Sequence, residues 1–317
     1  MVPLATIRQY AAGQQIGVDV ADQEIVLHYV LAMLNDAGLT GRRDGGRPGP
    51  LLFKGGTALR KCVFGQIGRF SQDIDMDAAG ENGFEADIEE AFSTHSPFHG
   101  IAFSIPTFRY SQDGNFSGRV TYHHDNGAGA FELQISYRLD LTLDPVDLAL
   151  VDQTYFRHVE FPVPALYGLD PYEMIAEKIM ACNRRRGGSA KDVYDLYLWS
   201  ERPFNHELVQ RVTVLKAWTD QRSAPRYEPE DFVAGIVPEN YRWEDLRGLV
   251  PRRREADASA ICALARSRFE FLTTCTEDER LLVDDQTSHR QLELFAHLRT
   301  EAREWSVADR RAPPSSY

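Results

Sequence analysis

Two short motifs constrain the fold of this sequence more than any other feature. Residues 51–53 are apolar and lead into the Gly55-Gly56 pair, which indicates a buried strand that ends in a tight turn. Residues 57–64 have helical character, and the Asp73-Ile74-Asp75 triplet begins an alternation of polar and apolar residues that is typical of a strand. The sequence therefore predicts a strand, a glycine turn, a short helix and a returning strand.

The aspartates of the triplet suit a hard cation. Residues two apart on a strand share a face, so Asp73 and Asp75 project together while the isoleucine packs behind them. Neighbouring carboxylates repel each other unless a cation lies between them, and Mg²⁺, or Mn²⁺ in its place, prefers such oxygen ligands and shares them with phosphate. The Gly55-Gly56 pair lets backbone N–H groups approach an anion. Asp77 continues the same face and is expected to be solvated. Alone, each motif also fits a plain turn or a solvent-facing strand.

Charge is unevenly distributed along the chain. The sequence has 35 basic and 47 acidic residues, a net charge of -12, which argues against a broad surface for nucleic acid. Residues 47–72 nevertheless contain five bases and no acid, residues 73–90 contain eight acids and no base, and residues 178–191 again contain five bases and no acid. The first and third segments suit phosphate, and the second suits a cation.

The pattern of elements changes near Tyr167. Before it we predict a helix over 21–37 and three strands, over 101–109, over 129–141 and from about Val159. After it, Asp170, Pro171 and Glu173 read as N-cap, first helical residue and capping-box acid of a helix that ends near Asn183. Further helices are predicted over 189–200, 205–220, 255–273 and 288–305. We therefore predict an α+β fold with an α/β domain over 1–165, a mostly helical domain over 166–306 and a disordered tail over 307–317.

The helical domain contains a second group of residues with chemical potential. Lys178 is expected to point away from the apolar face of its helix, so that its ammonium reaches out of the domain. Asp192 and Asp195 are three residues apart and share a face of the next helix. The lysine would offset phosphate charge, and Asp195 would orient it or accept a proton. The alternative is an ordinary salt bridge of Lys178 or Lys191 with Asp195.

The two blocks together resemble a known family. A glycine pair, a short helix and a returning D-x-D strand are similar to the core of DNA polymerase β-like nucleotidyltransferases. More narrowly, KGGTALR at 54–60, RFSQDID at 69–75 and the block that contains Lys178 and KDVYDL at 191–196 resemble the AbiEii/MenT toxin nucleotidyltransferases. The resemblance covers roughly residues 50 to 200.

The resemblance implies a function and roles for individual residues. It implies transfer of a nucleoside monophosphate, preferably a pyrimidine nucleotide, from an NTP to the 3′ end of tRNA, which blocks aminoacylation, and it implies a cognate antitoxin. The catalytic residues would be Asp73, Asp75, Lys178 and Asp195, and the triphosphate would be bound by Gly55, Gly56, Thr57, Arg60, Ser71 and Lys178. The carboxylates at 73 and 75 are expected to face Lys178 across a cleft wide enough for one NTP.

Two further assignments depend on the resemblance. Families of this type place a third carboxylate on a neighbouring strand, where Glu132 is favoured over Gln134; a glutamine there would weaken metal binding. Ser71 would be a regulatory site, modified by a kinase, because a phosphate beside the aspartates would occupy the place of the triphosphate.

Several alternatives stay open from the sequence. The acceptor is a protein or small-molecule hydroxyl instead of tRNA, or the chain is an inactive module that binds nucleotides or a partner. Arg184-Arg185-Arg186 either lies on a solvated face or binds a nucleic-acid backbone. The His123-His124 pair is predicted to be an exposed part of a hairpin turn. Four widely spaced cysteines, no secretory signal and no transmembrane run predict a cytoplasmic protein with reduced thiols and no membrane partner.

Overall fold

The computed structural model describes residues 1–42, 46–78, 84–111, 115–137, 141–184, 188–220, 225–255 and 257–311. The chain divides into two units. The sheet unit comprises Met1–Asp140, Pro145–Leu169 and Gly248–Glu255. The helical unit comprises Leu141–Asp144, Asp170–Arg247 and Ala256–Tyr317. The boundary follows Leu169 instead of residue 165 because the strand Leu166–Gly168 pairs within the sheet.

The sheet unit contains four helices and eight strands among its described residues. The helices are α1 (Leu4–Gln14), α2 (Val18–Asp36), α3 (Gly55–Ala58, continued by a π-helical turn Leu59–Phe64) and α4 (Phe84–His95). The strands are β1 (Leu51–Lys54), β2 (Ile74–Ala78), β3 (Ala102–Phe103), β4 (Thr107–Tyr110), β5 (Phe116–His124), β6 (Gly127–Tyr137), β7 (Val146–Leu148) and β8 (Leu166–Gly168). The predicted strand, turn, helix and returning strand are confirmed by β1, α3 and β2.

These strands form one mixed sheet in the order β3-β5-β6-β2-β1-β8-β7, with β4 also paired to β5. β1 and β2 are antiparallel, whereas β2 and β6 are parallel. The strand predicted over 101–109 is two short strands, because Pro106 lacks the N–H that a continuous ladder needs. The strand predicted from Val159 is absent from that position, and β7 and β8 lie on either side of it. Strand β5 was not predicted from the sequence. Its residues alternate in burial, with Phe116 and Val120 facing the core, and this alternation was the signal that was missed.

The hairpin turn predicted at His123-His124 joins β5 to β6 and is confirmed. The expectation that its histidines are exposed is wrong for His124, which is buried and lies 3.2 Å from the Asp22 carboxylate. Even-numbered residues of β5 face the core, so His124 points inward and requires a polar partner there, whereas His123 is exposed.

The helical unit follows β8. Its helices are α5 (Pro171–Arg184), α6 (Ala190–Ser200), α7 (His206–Thr219), α8 (Pro229–Ala234), α9 (Ala258–Arg268), α10 (Glu277–Asp284) and α11 (Leu292–Arg311). Strands β9 (Gly188–Ser189) and β10 (Tyr241–Arg242) pair in parallel and form a small two-stranded sheet. Within the described ranges, no helix is both long enough and apolar enough to span a bilayer.

The start of α5 differs from the predicted capping box. Asp170 accepts a hydrogen bond from the Tyr172 backbone N–H, as an N-cap does. Glu173 instead accepts from the backbone N–H groups of Thr142 and Leu143 and pairs with Lys216. The acid at N3 therefore holds a distant segment and a neighbouring helix, which local sequence rules do not consider.

The tail prediction is wrong for residues 307–311. Helix α11 continues to Arg311, and its last turns are bound to the start of α5: Ser306 and Arg310 donate to the Asp170 carboxylate, and Tyr172 donates to Asp309. These contacts stabilise helical turns that would fray if they were isolated. Residues 312–317 lie outside the described residues.

A buried histidine marks the core of the sheet unit. His28 on α2 is fully buried and stacks on Phe156 and Phe161, with ring centroids 4.6 and 5.5 Å apart. Within the part of the chain that the structure describes, neither ring nitrogen has a hydrogen-bond partner. Burial, and secondarily the charge of Lys61, lower the pKa of His28 well below 6.5.

This pKa shift predicts an acid-sensitive core. The unfolded chain takes up a proton at His28 below about pH 6.5 and the folded chain does not, so the free energy of unfolding falls as the pH falls, by up to about 1.4 kcal/mol per pH unit. Replacing His28 by phenylalanine (His28→Phe) should remove this contribution, which urea unfolding on both sides of that pH measures. His123→Gln, at an exposed position, is the control. Equal pH dependence of wild type and His28→Phe would contradict the prediction.

Candidate active site

The site is organised around the turn that ends β1. Gly55 has φ +77°, a conformation that other L-residues rarely adopt. A Cβ atom on Gly55 would lie 2.2 Å from the Asp75 Oδ2 atom, so a side chain there would displace the carboxylate. Lys54 and Asp75 are paired residues of β1 and β2, so the turn closes directly over the second aspartate of the D-x-D motif.

The first aspartate is held through its backbone. Asp73 immediately precedes β2, and the buried Thr57 hydroxyl donates to its carbonyl oxygen. Gln23 on α2 donates to the carbonyls of Gln72 and Ala130, at 3.0 and 3.2 Å. Thr57 was assigned to the triphosphate from the sequence, but its hydroxyl is used inside the protein. The structure therefore gives Thr57 the task of fixing the start of β2.

Both aspartates remain accessible on the same face of the strand. Ile74 between them is fully buried, whereas Asp73 and Asp75 are half-buried. Because side chains alternate along a strand, the two carboxylates lie on the face opposite to Ile74. Two hard oxygen donors on one face fit a divalent cation such as Mg²⁺, whose remaining ligands would come from phosphate and water.

The neighbouring strand does not add a carboxylate beside Asp75. The β2–β6 register pairs Asp75 with Gln134, so the neutral amide lies next to the second aspartate. Glu132 is one step further back along the same face and lies 3.8 Å from Arg119. Among the described residues, no group of three or more histidine, cysteine, aspartate or glutamate side chains is arranged to hold a metal ion. The geometry therefore favours Gln134 over Glu132 for the position beside Asp75.

The basic segment before the aspartates is largely internal. The four bases that are buried are Lys54, Arg60, Lys61 and Arg69. The Lys54 ammonium binds the Asp77 carboxylate, and the side chain of Asp77 is fully buried rather than solvated as predicted. The Lys61 ammonium lies 2.8 Å from the Glu24 carboxylate. A sequence of bases without acids therefore produced internal ion pairs with acids from elsewhere in the chain, and not a surface for phosphate.

Arg60 is another internal base of this segment. Its side chain is 1% exposed, stacks over the Phe70 ring and donates to the carbonyls of Gly65 and Gly68 and to the Tyr10 hydroxyl. The structure contradicts the assignment of Arg60 to the triphosphate, because the side chain is buried and its Nη1 group holds the loop between α3 and β2. Arg60 is a positioning residue: it shapes the segment that leads to Asp73.

Ser71 and Arg69 lie behind the second glycine. A Cβ atom on Gly56 would meet the Arg69 guanidinium at 2.6 Å and the Ser71 Oγ atom at 3.3 Å. Ser71 is 8% exposed, so its hydroxyl is packed within the turn and not at an open mouth as predicted. The guanidinium and the hydroxyl occupy the space that a side chain at position 56 would fill, so a larger residue there would require Arg69 to move.

The predicted lysine and aspartates form a cluster inside the helical unit. The Lys178 Nζ atom on α5 lies 2.8 Å from Asp192 Oδ1 and 3.2 Å from Asp195 Oδ2 on α6. The lysine side chain is 13% exposed and that of Asp195 is 1% exposed. The ammonium is therefore held between two carboxylates and does not reach freely outward. Both aspartates contact the same atom, which confirms that they share a helix face.

A cysteine borders this cluster and remains a thiol. Burial, and then the charge of Asp192, raise the pKa of Cys182 well above its ordinary value, although Lys178 opposes the shift. The four cysteines of the chain are free. Of the triple arginine between α5 and α6, Arg185 and Arg186 lie outside the described residues.

The sequence reasoning missed several residues that build the site. Gln23 and the Lys54–Asp77 pair support β2 from α2 and β1, yet neither has a motif of its own. Of these residues, only Asp77 could have been recognised from the sequence. It lies late in a strand, directly after an inward-facing methionine. If that strand is central in its sheet, the carboxylate is buried as well and needs a cation as its partner. Glutamine at position 23 gives no such signal.

The glycine turn and the paired aspartates lie together beside β2, as the resemblance to nucleotidyltransferases implies. The family model of the AbiEii nucleotidyl transferase toxin, type IV toxin–antitoxin system, matches residues 42–281, and this chain belongs to that family. It is a toxin nucleotidyltransferase of a type IV toxin–antitoxin system, which implies an antitoxin partner.

One solved structure shares the fold over nearly the whole chain. MenT4, a nucleotidyltransferase toxin from Mycobacterium tuberculosis H37Rv, superposes with a TM-score of 0.77 at 24% identity and covers 96% of this chain and 100% of its own. JHP933 from Helicobacter pylori gives a TM-score of 0.49 at 17% identity over 88% of this chain and 99% of its own. A comparison with curated proteins gave no match.

Two glycines provide a matched test of the turn. Gly55 and Gly46 have φ of +77° and +78°, but a Cβ atom meets Asp75 only at Gly55; at Gly46 nothing lies within 4 Å. Gly55→Ala and Gly46→Ala should each cost about 1–2 kcal/mol of stability from the left-handed backbone. Only Gly55→Ala should also lower nucleotidyl transfer, by about 100-fold or more, because it displaces the carboxylate of Asp75, a candidate metal ligand. Thermal unfolding and initial rates measure the two effects; equal rates for both variants would contradict the role of the turn.

Proposed function

We propose that this toxin transfers a nucleoside monophosphate, preferably a pyrimidine nucleotide, from an NTP to the 3′ end of tRNA and so blocks aminoacylation. Nucleotidyl transfer is supported by the turn at Gly55, which closes over Asp75 while Thr57 fixes Asp73. The tRNA acceptor and the pyrimidine preference rest on the resemblance of the sequence motifs to the family. Two carboxylates are thereby presented together beside the start of a helix, an arrangement that suits a metal-bound triphosphate.

The reaction requires positioning more than covalent chemistry. The acceptor hydroxyl attacks the α-phosphorus and loses its proton to water. A new oxygen–phosphorus bond forms, the bond to the bridging oxygen breaks and pyrophosphate leaves. A divalent cation held by Asp73 and Asp75, Mg²⁺ or Mn²⁺, would neutralise charge on the phosphate oxygens. The backbone at Gly55 and Gly56 leaves room for the phosphates to lie close to the chain.

The residues of the Lys178 cluster are also proposed to serve the reaction. The support is the resemblance of this block to the family and the placement of the ammonium between Asp192 and Asp195. Both carboxylates accept from the ammonium, so we assign Asp195 to orienting the lysine rather than to removing the acceptor proton. Lys178 would supply a fixed positive charge for the transferring phosphoryl group.

The acceptor is tested with labelled NTPs. Wild-type protein, incubated with each labelled NTP and separately with total tRNA, total cell protein or small-molecule alcohols, should label tRNA, with most label from CTP or UTP. Asp73→Asn and Asp75→Asn should reduce the rate at least about 1,000-fold, since each removes a charge that acts on the reacting phosphate. Asp125→Asn, in the exposed hairpin, should be unaffected. Label in protein instead of tRNA would replace the acceptor, and label in no fraction would overturn the proposal.

A second lysine held between two carboxylates supplies a matched control for Lys178. Lys216 lies between Glu173 and Glu177, at 2.6 and 3.3 Å, in the same unit and with similar exposure. Lys178→Met and Lys216→Met should both destabilise the protein, by about 3–5 kcal/mol, because each leaves buried carboxylates without their cation. Only Lys178→Met should abolish transfer and growth arrest in folded protein. Equal loss of activity in both variants would make the Lys178 cluster structural.

Regulation is proposed at Ser71. Its hydroxyl lies beside Gly56, so a phosphate added by a kinase would occupy the space next to the glycine turn. Because Ser71 is nearly buried, modification requires the 65–72 segment to open first. Intact-mass measurement of the protein co-expressed with its neighbouring genes, with no added phosphate under any condition, would remove the proposal.

A further inference from the structure

The polar face of the sheet extends well beyond the two aspartates. Strand pairing places Gln134 on β6 beside Asp75, Ser117 on β5 beside Gln134, and Arg109 on β4 beside Ser117. Paired residues of neighbouring strands share a face. One row of side chains therefore runs from Asp75 across three strands to Arg109.

A second row lies alongside the first. Glu132 on β6 is paired with Arg119 on β5, and Arg119 with Thr107 on β4. Five residues of the two rows line a cavity of about 350 Å³: Thr107, Arg109, Ser117, Arg119 and Glu132. The cavity has two guanidinium groups, two hydroxyls and one carboxylate, and the Arg119 side chain is 71% exposed.

We propose that this cavity is a phosphodiester-binding subsite for the single-stranded 3′ end of the nucleic-acid acceptor, with Arg109 and Arg119 as its phosphate ligands. The inference rests on the proposed function in assuming a nucleic-acid acceptor. Guanidinium and hydroxyl donors are the groups that bind phosphate oxygens of a polynucleotide backbone, and they do so without regard to base sequence.

The spacing of the sheet agrees with this occupant. Strands lie about 4.8 Å apart, so Arg119 and Arg109 are two and three strands from β2, about 10 and 14 Å. A strand whose 3′ hydroxyl lies at Asp73 and Asp75 reaches this distance within about three to four nucleotides at a stacked rise of about 3.4 Å. The triphosphate of an NTP bound at the glycine turn is on the opposite side of β2 from this cavity, since β1 and β6 flank β2 on opposite edges.

The subsite is tested by binding in the absence of NTP and metal. The probe is a short fluorescein-labelled single-stranded RNA with a free 3′ hydroxyl, followed by anisotropy in EDTA over a range of salt. Arg109→Gln/Arg119→Gln should weaken binding about tenfold or more and reduce the slope of log Kd against log salt by about 1.4, or about 0.7 per lost contact. Arg8→Gln/Arg157→Gln removes two exposed charges of the same unit outside the sheet face and should change neither value.

A gain of affinity distinguishes the subsite from misfolding. Glu132→Gln removes the one carboxylate of the cavity and its competition for Arg119, so RNA should bind several-fold more tightly. Three results would overturn the subsite. The double arginine variant could bind RNA as the wild type does, or the Arg8/Arg157 control could be weakened equally. The third is a raised KM for NTP without weaker RNA binding. If the proposed function is wrong but the subsite exists, no acceptor RNA is labelled, whereas the differences in RNA binding between these variants remain.

Discussion

The Asp75 carboxylate occupies the space that a side chain at Gly55 would fill, and this constraint governs the geometry of the site. β1 and β2 are antiparallel neighbours with Lys54 opposite Asp75, so the chain leaves β1 at the level of the second aspartate. It can turn there only with a positive φ and no side chain. The helix start, the D-x-D carboxylates and the Gln134 amide consequently lie around one point of the sheet.

Charge in the sheet unit is sorted by burial and not by position in the sequence. The bases next to the glycine turn pair with Asp77 and Glu24 or donate to loop carbonyls, and they stabilise the scaffold. Buried ions need such partners because an isolated charge in the interior is strongly unfavourable. The exposed arginines of β4 and β5 come instead from a segment without any basic run. An acidic protein can thus carry a small cationic surface where a nucleic-acid strand is proposed to lie.

The helical unit shows a similar use of buried ions. Lys178 lies between two carboxylates of α6, and Lys216 lies between two carboxylates of α5. Asp170 binds the last turns of α11. These contacts explain why the capping box at Glu173 and the disordered tail were predicted wrongly: both acids are used by residues that are distant in sequence. The spacing of Asp192 and Asp195 was predictable because it depends only on the helical repeat.

The sequence alone was sufficient for features that local geometry dictates: β1 with its glycine turn, the common face of Asp73 and Asp75, the hairpin before β6, and the family to which these motifs belong. It was insufficient for Arg60, Ser71, Asp77 and the choice of Gln134 beside Asp75. Whether a base meets solvent, a carbonyl or a distant acid depends on which strands and helices become neighbours. Strand register moves a side chain from one face to the other with a shift of a single residue, and long-range packing fixes that register.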